Sequence, residues 1–511
     1  MWQRFTIEDL RVICHYLGLL IMGMAALELV PIAAGVIMGE WTPVSHYLLC
    51  AGVTLIVGNC LRMVIPIPGK LTQKRAVAVT CLAWLVLAVG GAFPLYMSGH
   101  FATPLDALFE GMSGWTTTGA SLVQDLNHFS TADNMWRFTM QGVGGLGVVV
   151  IALSLGMFGR NVDASLYSSE GRSEHVLPNI MQTTKFIVKL AVLFVGLGAV
   201  VLVGYCMYIG IDGWRGFFNG LWLSIASFNT GGMTSMSTGI VYYHSAALEF
   251  VVMLLILLGS INFTLYSELW KGRLIEFVKD AEVRGLVVWL ALILAVFALL
   301  LATSGSYNDV LTLIRRGVFT IVAAFSSTGF QNISTNQLTT IVPSGALILL
   351  VFIMIVGGSS GSTTGGIKVI RVVTLGKELI AYVKDLLAPA SARQAVSYYH
   401  LGSHPLTQEL IRANIAVLML YGFLAIITAV ATLACGYDAA SALFESVSMV
   451  SNIGMSSGII SPGMPAGLEI LYIIVMWAGR LEYVTLLALL VSLIASINPV
   501  ARKRRGSSRG R

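Results

Sequence analysis

The sequence predicts an all-α membrane protein in which four parallel span–pore helix–span repeats surround one pore, with two further spans ahead of them. Three observations predict this: the composition, the alternation of basic residues between loops, and a polar run closed by glycine that recurs four times. Charged residues are 11% and apolar residues 56% of the 511, where soluble globular chains carry about 25% charge. Mean hydropathy is +0.82. A water-soluble enzyme and a disordered scaffold are excluded. The net charge of +6 is no nucleic-acid footprint, because the basic residues sit in loops between apolar stretches.

Ten stretches are long and apolar enough to cross a bilayer as helices: 15–38, 44–65, 76–97, 134–158, 191–211, 245–268, 285–306, 341–367, 413–437 and 467–497. The start of the chain has Arg4 and Arg11 beside Glu8 and Asp9 and no small-residue cleavage site, so it reads as a retained cytoplasmic segment. With residue 1 inside, the inner loops collect Arg62, Lys70, Lys74 and Arg75, then Arg160, Arg172 and Lys185. They also hold the clusters from Lys271 to Arg284 and from Lys368 to Arg393, whereas the outer segments hold only Arg137, Arg215, Arg315 and Arg316. The positive-inside rule therefore puts both termini in the cytoplasm. The basic tail at 501–511 is either a solvated end or a contact to anionic headgroups. The six cysteines form no C-x-x-C pair and read as buried free thiols.

Four outer segments are too long for loops and too short or polar to span. Each ends in a polar run closed by glycine: Trp115 to Gly119 (WTTTG), Phe228 to Gly232 (FNTGG), Phe325 to Gly329 (FSSTG) and Val450 to Gly454 (VSNIG). Ten residues before each glycine stands an aromatic residue: Phe109, Trp222, Phe319 and Phe444. Six before stands a small one: Ser113, Ala226, Ala323 and Ser448. Only Gly232, not Gly231, keeps this register in the second copy. The unit is span, short helix, polar loop with glycine, span, and all four copies run in the same direction.

Such a unit suits a cation. Each short helix turns its C-terminal end, with its partial negative charge, toward the membrane centre. Non-helical backbone at that depth is tolerated only where it lines water or packs in protein, and carbonyl oxygens on four converging strands can replace an ion's hydration shell. The candidate ion-binding residues are Thr117, Thr118 and Gly119; Thr230, Gly231 and Gly232; Ser327, Thr328 and Gly329; and Asn452, Ile453 and Gly454.

The span at 341–367 contains ten consecutive small residues, Gly357, Gly358, Ser359, Ser360, Gly361, Ser362, Thr363, Thr364, Gly365 and Gly366. They cannot hold a helix against their propensity, so the span breaks inward of the filter and the loop reads as a gate. An ordinary loop after a shorter span is the other reading. The last span carries Arg480 within Gly479-Arg-Leu-Glu482. A charge in a span costs a few kcal/mol on insertion scales and faces water or a partner. Glu482, two residues on, does not share its helix face, so Arg480 reads as a pore charge.

Other motifs carry no chemistry. Gly142 to Gly147 matches G-x-G-x-x-G, but with no strand before it and apolar residues around it this reads as close helix packing. The 361–368 run lacks the contiguous Gly-Lys-Ser/Thr of a phosphate loop. His400 and His404, at i and i+4 in an inner loop, read as solvated. No nucleophile–base arrangement is visible, so catalysis is not expected.

Phe109 to Ser121, Gln141 to Gly147, the glycine-rich break and Gly479 to Glu482 together resemble the Trk/Ktr/HKT superfamily of potassium transporters, most like the bacterial Trk-system membrane subunits of the TrkH/TrkG type. The resemblance covers essentially the whole chain. It implies a gated K⁺-uptake subunit of the bacterial inner membrane, usually a homodimer with one pore per protomer. It also implies a TrkA-like cytoplasmic partner that binds the regulatory nucleotide, with no organic cofactor on this chain. The family's filter glycines fall on Gly119, Gly232, Gly329 and Gly454, its intramembrane loop on 357–366 and its pore arginine on Arg480. The fourth strand lacks the Thr of the first and third, so the expectation is K⁺ preference without strong exclusion of Na⁺. The units divide as 1–70 (the two-span appendage), 71–165, 166–275, 276–395, 396–500 and the 501–511 tail. A K⁺ symporter coupled to Na⁺ or H⁺ is the alternative, although such transporters often use inverted repeats.

Overall fold

The structure is a computed structural model and describes residues 4–65, 71–147, 150, 180–304, 310–333, 337–338, 344–387 and 396–497. The unit boundaries at 165 and 395, the basic residues Arg160, Arg172 and Arg393, and the 501–511 tail lie outside the described residues.

The first two spans form the appendage. A Thr6–Asp9 capping box starts Ile7–Leu27, which continues as Leu29–Met38; Gly39, at φ 74°, turns the chain into Trp41–Met63. Gly18 and Gly58 let the two spans meet backbone to backbone, since a Cβ on Gly18 would stand 2.6 Å from the Arg62 amide nitrogen. Asp9 ties the appendage to the first repeat through Lys74 (2.5 Å) and Arg75 (2.6 Å). At the other end the Tyr47 hydroxyl donates to Asp133 at 2.9 Å.

Each repeat then supplies a long span, a short helix and a second span. The first repeat has Gln73–Met97, Pro104–Trp115 and Thr131–Leu146. The second has Ile180–Tyr208, Gly213–Phe228 and Ala246–Ser260 followed by Phe263–Trp270. The third has Ala281–Ser304, Val310–Phe325 and Ser344–Ile355 followed by Val369–Leu387. The fourth has Gln408–Ala434, Ala439–Val450 and Ala466–Arg480 followed by Val484–Ile497. Among the described residues six helices are long and apolar enough to cross a membrane, and two bent pairs bring the number to eight. Large apolar side chains such as Val200, Leu299, Phe423 and Ile426 stand exposed on the outer faces, as a hydrocarbon solvent allows.

The sequence led us to expect one broken span. The structure breaks the second span of three repeats: by 95° after Ser260 in the second, through the 356–367 loop in the third and by 109° after Arg480 in the fourth; in the first, the Thr131–Leu146 helix ends at Gly147 (φ 90°). The cause is crowding at the short-helix ends. Gly144, Gly259 and Gly479 lie against the carbonyls of Trp115, Phe228 and Val450, the last helical residues of three short helices. A Cβ at any of the three would overlap that oxygen. In these three repeats the second span reaches the end of the short helix backbone to backbone, and its helix stops within a few residues. Asn262 caps the continuation in the second repeat, accepting from the Thr264 amide at 2.8 Å, while Glu482 and Tyr483 make the turn in the fourth with φ of 53° and 61°.

Gly259→Ala, with its Cβ directed into the Phe228 carbonyl, should cost about 1–3 kcal/mol as overpacking and lower the thermal midpoint of the purified protein by several degrees. Gly422→Ala, where nothing lies within 4 Å, should leave the midpoint unchanged in the same melting experiment.

Candidate functional site

All four short helices end in one turn. In the first repeat the Thr117 amide donates to the Gly114 carbonyl (3.2 Å) and the Thr118 amide to the Ser113 carbonyl (2.9 Å). The pairs Thr230–Ser227 and Gly231–Ala226, Ser327–Ala324 and Thr328–Ala323, and Asn452–Met449 and Ile453–Ser448 repeat it. This is the Schellman termination, whose pivot residue must be left-handed. The pivots are Thr117, Thr230, Ser327 and Asn452, with φ of 56°, 48°, 53° and 54°. Three of them are not residues that favour this region, and strain of about 1–3 kcal/mol at such positions is a mark of functional sites.

Two residues on, Gly119, Gly232, Gly329 and Gly454 are again left-handed, at 87°, 69°, 81° and 80°. Gly231 is not, which agrees with the register of the aromatic residues. The glycines are also where the repeats meet. A Cβ on Gly119 would overlap the Gly231 carbonyl, one on Gly232 that of Thr328, one on Gly329 that of Ile453, and one on Gly454 that of Thr118. The contacts run from the first repeat to the second, third and fourth and back to the first, so the twelve candidate residues form a closed ring. Within it the residues before each glycine are buried, and the four glycines alone are partly exposed.

Buried polar side chains brace the outgoing strands. Glu110 accepts from the Leu122 amide (3.0 Å), the Ser121 hydroxyl (3.1 Å) and Arg137 (2.7 Å), a wholly buried ion pair. Glu445, at the matching position of the fourth repeat, accepts from the Ser457 amide (2.8 Å) and the Ser456 hydroxyl (2.8 Å). The second and third repeats use Asn219 with Ser235 (2.6 Å) and Thr320 with Asn332 (3.2 Å) instead. These braces were not read from the sequence; a glutamate recurring nine residues before two of the four glycines was the available signal.

The 357–366 loop lies against the turns that lead into this ring and is held by many hydrogen bonds. Its ends are joined by Gly357 to Ile367 (2.9 Å) and Val369 to Gly358 (3.1 Å), and the Ser359 amide donates to the Ser260 carbonyl (3.0 Å). Thr230 donates to the Thr363 hydroxyl (3.0 Å), the Gly365 amide donates to Ser327 (2.5 Å), and a Cβ on Gly365 would overlap the Ser451 carbonyl. Arg480 completes the set, donating to Thr117 (3.4 Å), to the Thr363 carbonyl (3.2 Å) and to the carbonyls of Gly144 and Gly145. Loop and arginine together touch the turn of every repeat. Glu482 pairs with Arg371 rather than with Arg480, and a cavity lined by Trp84, Lys368, Arg480 and Glu482 opens below the loop. Gly144 and Gly145 in the dinucleotide-like run serve close packing, against Trp115 and Asn229. Two expectations are corrected: His404 is exposed, but His400 is buried, with Nδ1 2.9 Å from Asp280; and of the six free cysteines Cys60 and Cys435 are exposed and Cys14 half-buried, so only Cys50, Cys81 and Cys206 are the buried thiols expected.

Comparison with known proteins agrees with this architecture. Residues 69–497 match the TrkH family, described as cation transport protein. The chain is 32% identical to the uncharacterized cation transporter MJ1485 of Methanocaldococcus jannaschii, over 96% of this chain and 97% of that one. It is 28% identical to the Trk system potassium uptake protein TrkH of Halomonas elongata, over 94% and 98%, and 28% identical to that of Escherichia coli K12, over 82% and 86%. The crystal structure of the potassium transporter TrkH from Vibrio parahaemolyticus has the same fold, with a TM-score of 0.80 at 24% identity, over 94% of this chain and 98% of that one.

Arg137→Leu, which strands the Glu110 carboxylate without its cation, should destabilise by about 3–5 kcal/mol. The Glu110→Leu, Arg137→Leu double variant should recover a large part of that loss in a denaturation-based double-mutant cycle, and strictly additive losses would mean the pair does not act as a unit.

Proposed function

The chain belongs to the TrkH family of cation transport proteins, a family of transporters and not of enzymes, and on that premise we propose that it takes up K⁺ through a filter made by the glycine ring. The closed ring of left-handed glycines, each against its neighbour's carbonyl and each partly exposed, is the observation that carries this reading. Four short helices end at the ring with their partial negative charge directed to it, and any side chain at the glycines would meet a carbonyl oxygen. Backbone oxygens on the strands 117–119, 230–232, 327–329 and 452–454 would stand in for the ion's water. The names of the relatives from Halomonas elongata and Escherichia coli support potassium as the cation.

In this reading the 357–366 loop is the gate and Arg480 its lock. The loop's hydrogen bonds to the ring and to the second repeat, each worth about 1 kcal/mol net, bias it shut by a few kcal/mol. A few such bonds can be exchanged for water when the loop withdraws. Arg480 holds the Thr363 carbonyl and sets a positive charge below the filter, where it slows cations until the loop moves. The setting is a bacterial inner membrane with both termini cytoplasmic, a homodimer with one pore in each protomer, and a TrkA-like nucleotide-binding subunit acting on the inner face. The repeats run parallel around one ring, which favours a pore over alternating access by a coupled symporter.

In liposomes under an imposed potential, the wild type should take up ⁸⁶Rb⁺ in preference to Na⁺. Gly232→Ser should cut that preference about tenfold, a change of about 1.4 kcal/mol; equal selectivity in Gly232→Ser and Gly329→Ser would remove the filter assignment. Shortening 357–366 should raise basal flux several-fold, and lower flux from well-folded protein would make the loop structural.

A further inference from the structure

Two buried carboxyl groups meet where the fourth repeat closes on the first. Asp106 lies in the first turn of Pro104–Trp115 and Glu469 in the first turn of Ala466–Arg480. They are 5% and 3% exposed, and the two helices pack together. Asp106 has partners. Its Oδ2 accepts from the amides of Ala102 and Thr103, both at 3.1 Å, and its Oδ1 from the Thr103 hydroxyl at 3.0 Å. Glu469 lacks them: its Oε1 is buried and accepts from no donor among the described residues. The side chain within hydrogen-bonding reach of Glu469 is the Asp106 carboxyl.

The other ionisable groups on the elements around the pair are engaged elsewhere. Glu110, one turn along from Asp106, pairs with Arg137, and Asp133 accepts from Tyr47. Glu445 accepts from Ser456 and Ser457, and Asp438 caps its own helix through the Ser441 amide. The Tyr472 hydroxyl is 3.0 Å from that of Thr432, the His100 ring stands edge-on to Phe129, and Tyr96 is exposed. The seam between the second and third repeats offers a contrast. There Glu249, also in the first turn of a second span, meets Arg315 of the next short helix at 2.9 and 2.7 Å. Where that glutamate has a cation, Glu469 has another acid.

Two ionised carboxylates at this range repel one another after giving up their hydration, and neither has a hydrogen to offer. One proton changes both facts. A protonated Glu469 becomes a donor, and Asp106 Oδ1, with one printed donor, keeps a lone pair to accept. The O–H···O⁻ bond so formed is of the short, charge-assisted kind, and the proton belongs to the pair rather than to either residue.

We propose that Asp106 and Glu469 form a proton-binding site that holds the fourth repeat to the first, and that releasing the proton at high external pH loosens the filter. The second part rests on the reading of the glycine ring as the filter. Release leaves two like charges in the seam, which push Ala466–Arg480 away from Pro104–Trp115. The first of these helices ends at Arg480, which donates to Thr117. The second leads to Thr118, whose carbonyl lies against Gly454 and closes the ring. The stabilisation is present while the proton is bound and is lost as pH rises through its release.

The full chain in nanodiscs is titrated from mildly acidic to alkaline pH and followed in the infrared. The difference between wild type and Glu469→Gln should contain one protonated-carboxyl band at the acidic end, fading as pH rises, and Asp106→Asn should shift or remove it. No such band, or a band indifferent to a folded Asp106→Asn, overturns the site. Should Asp106→Asn fail to fold for want of its cap, Glu469→Gln leaves the Thr103 contacts intact and carries the test through stability. Its amide can donate to Asp106 in place of the proton. The wild-type thermal midpoint should therefore fall over this pH range by several degrees more than that of Glu469→Gln, and parallel falls overturn the site. A midpoint set by added K⁺ or Ca²⁺ instead of by pH would put a metal ion where the proton is proposed, and also overturns it. In liposomes, alkaline external pH should cut the preference for ⁸⁶Rb⁺ over Na⁺ several-fold in the wild type and much less in Glu469→Gln. A proton site with pH-independent selectivity overturns the coupling when Gly232→Ser and Gly329→Ser still lower selectivity. When those two have no effect either, it is the filter reading that fails, and the proton site stands on its infrared and stability data.

Discussion

The contact between each ring glycine and the carbonyl of the next repeat is the constraint on which the structure depends. It requires a residue without Cβ, a left-handed backbone and a neighbour whose peptide faces the right way, all at once. Nothing in the ring can be widened to relieve one contact without opening another, because the four close on themselves. The Schellman turns follow from this demand. They convert the descending short helix into an extended strand within three residues, and they do so even where the pivot is Thr or Ser, at a cost that packing around the pivots must repay.

The breaks in the second spans are the same constraint seen from the outside. A helix that packs against the end of the short helix has to bring glycine to its last carbonyl, as Gly144, Gly259 and Gly479 do. Beyond that point a straight helix would have to run on beside the loop and Arg480. In the second, third and fourth repeats the span turns away instead, by a capped restart, an inserted loop and a hinge respectively. The loop is therefore an elaboration of a break that the second and fourth repeats share, and it is tied at its ends: Ile355, Gly357 and Gly358 bind its far end before the chain resumes as helix.

The parts legible in the sequence were those where geometry restricts residue type at a fixed offset. Glycine at the ring, an aromatic ten residues earlier and a small residue six earlier are all demanded locally, so the fourfold register could be read and Gly232 chosen over Gly231. The pivots were not legible, because Thr and Ser reach the left-handed region under tertiary pressure rather than by preference, and the one Asn does not by itself reveal a fourfold pattern. The bends after Ser260 and Arg480 were hidden because hydropathy is summed along the chain and does not register direction. His400 was misread because its partners are 120 residues away, in a span start where acidic residues are unremarked helix-cap chemistry.

The chemical unlikeness of the four braces has a consequence for how such a ring changes over time. Glu110 and Glu445 stand where the other two repeats have Leu223 and Thr320, and Ser113 and Ser448 where they have Ala226 and Ala323. A ring of four identical chains inherits every substitution four times over. Here all four quadrants lie on one polypeptide, so a substitution changes one quadrant and leaves the other three as they are. Because the quadrants are covalently joined, their association also does not weaken on dilution, as that of separate subunits would.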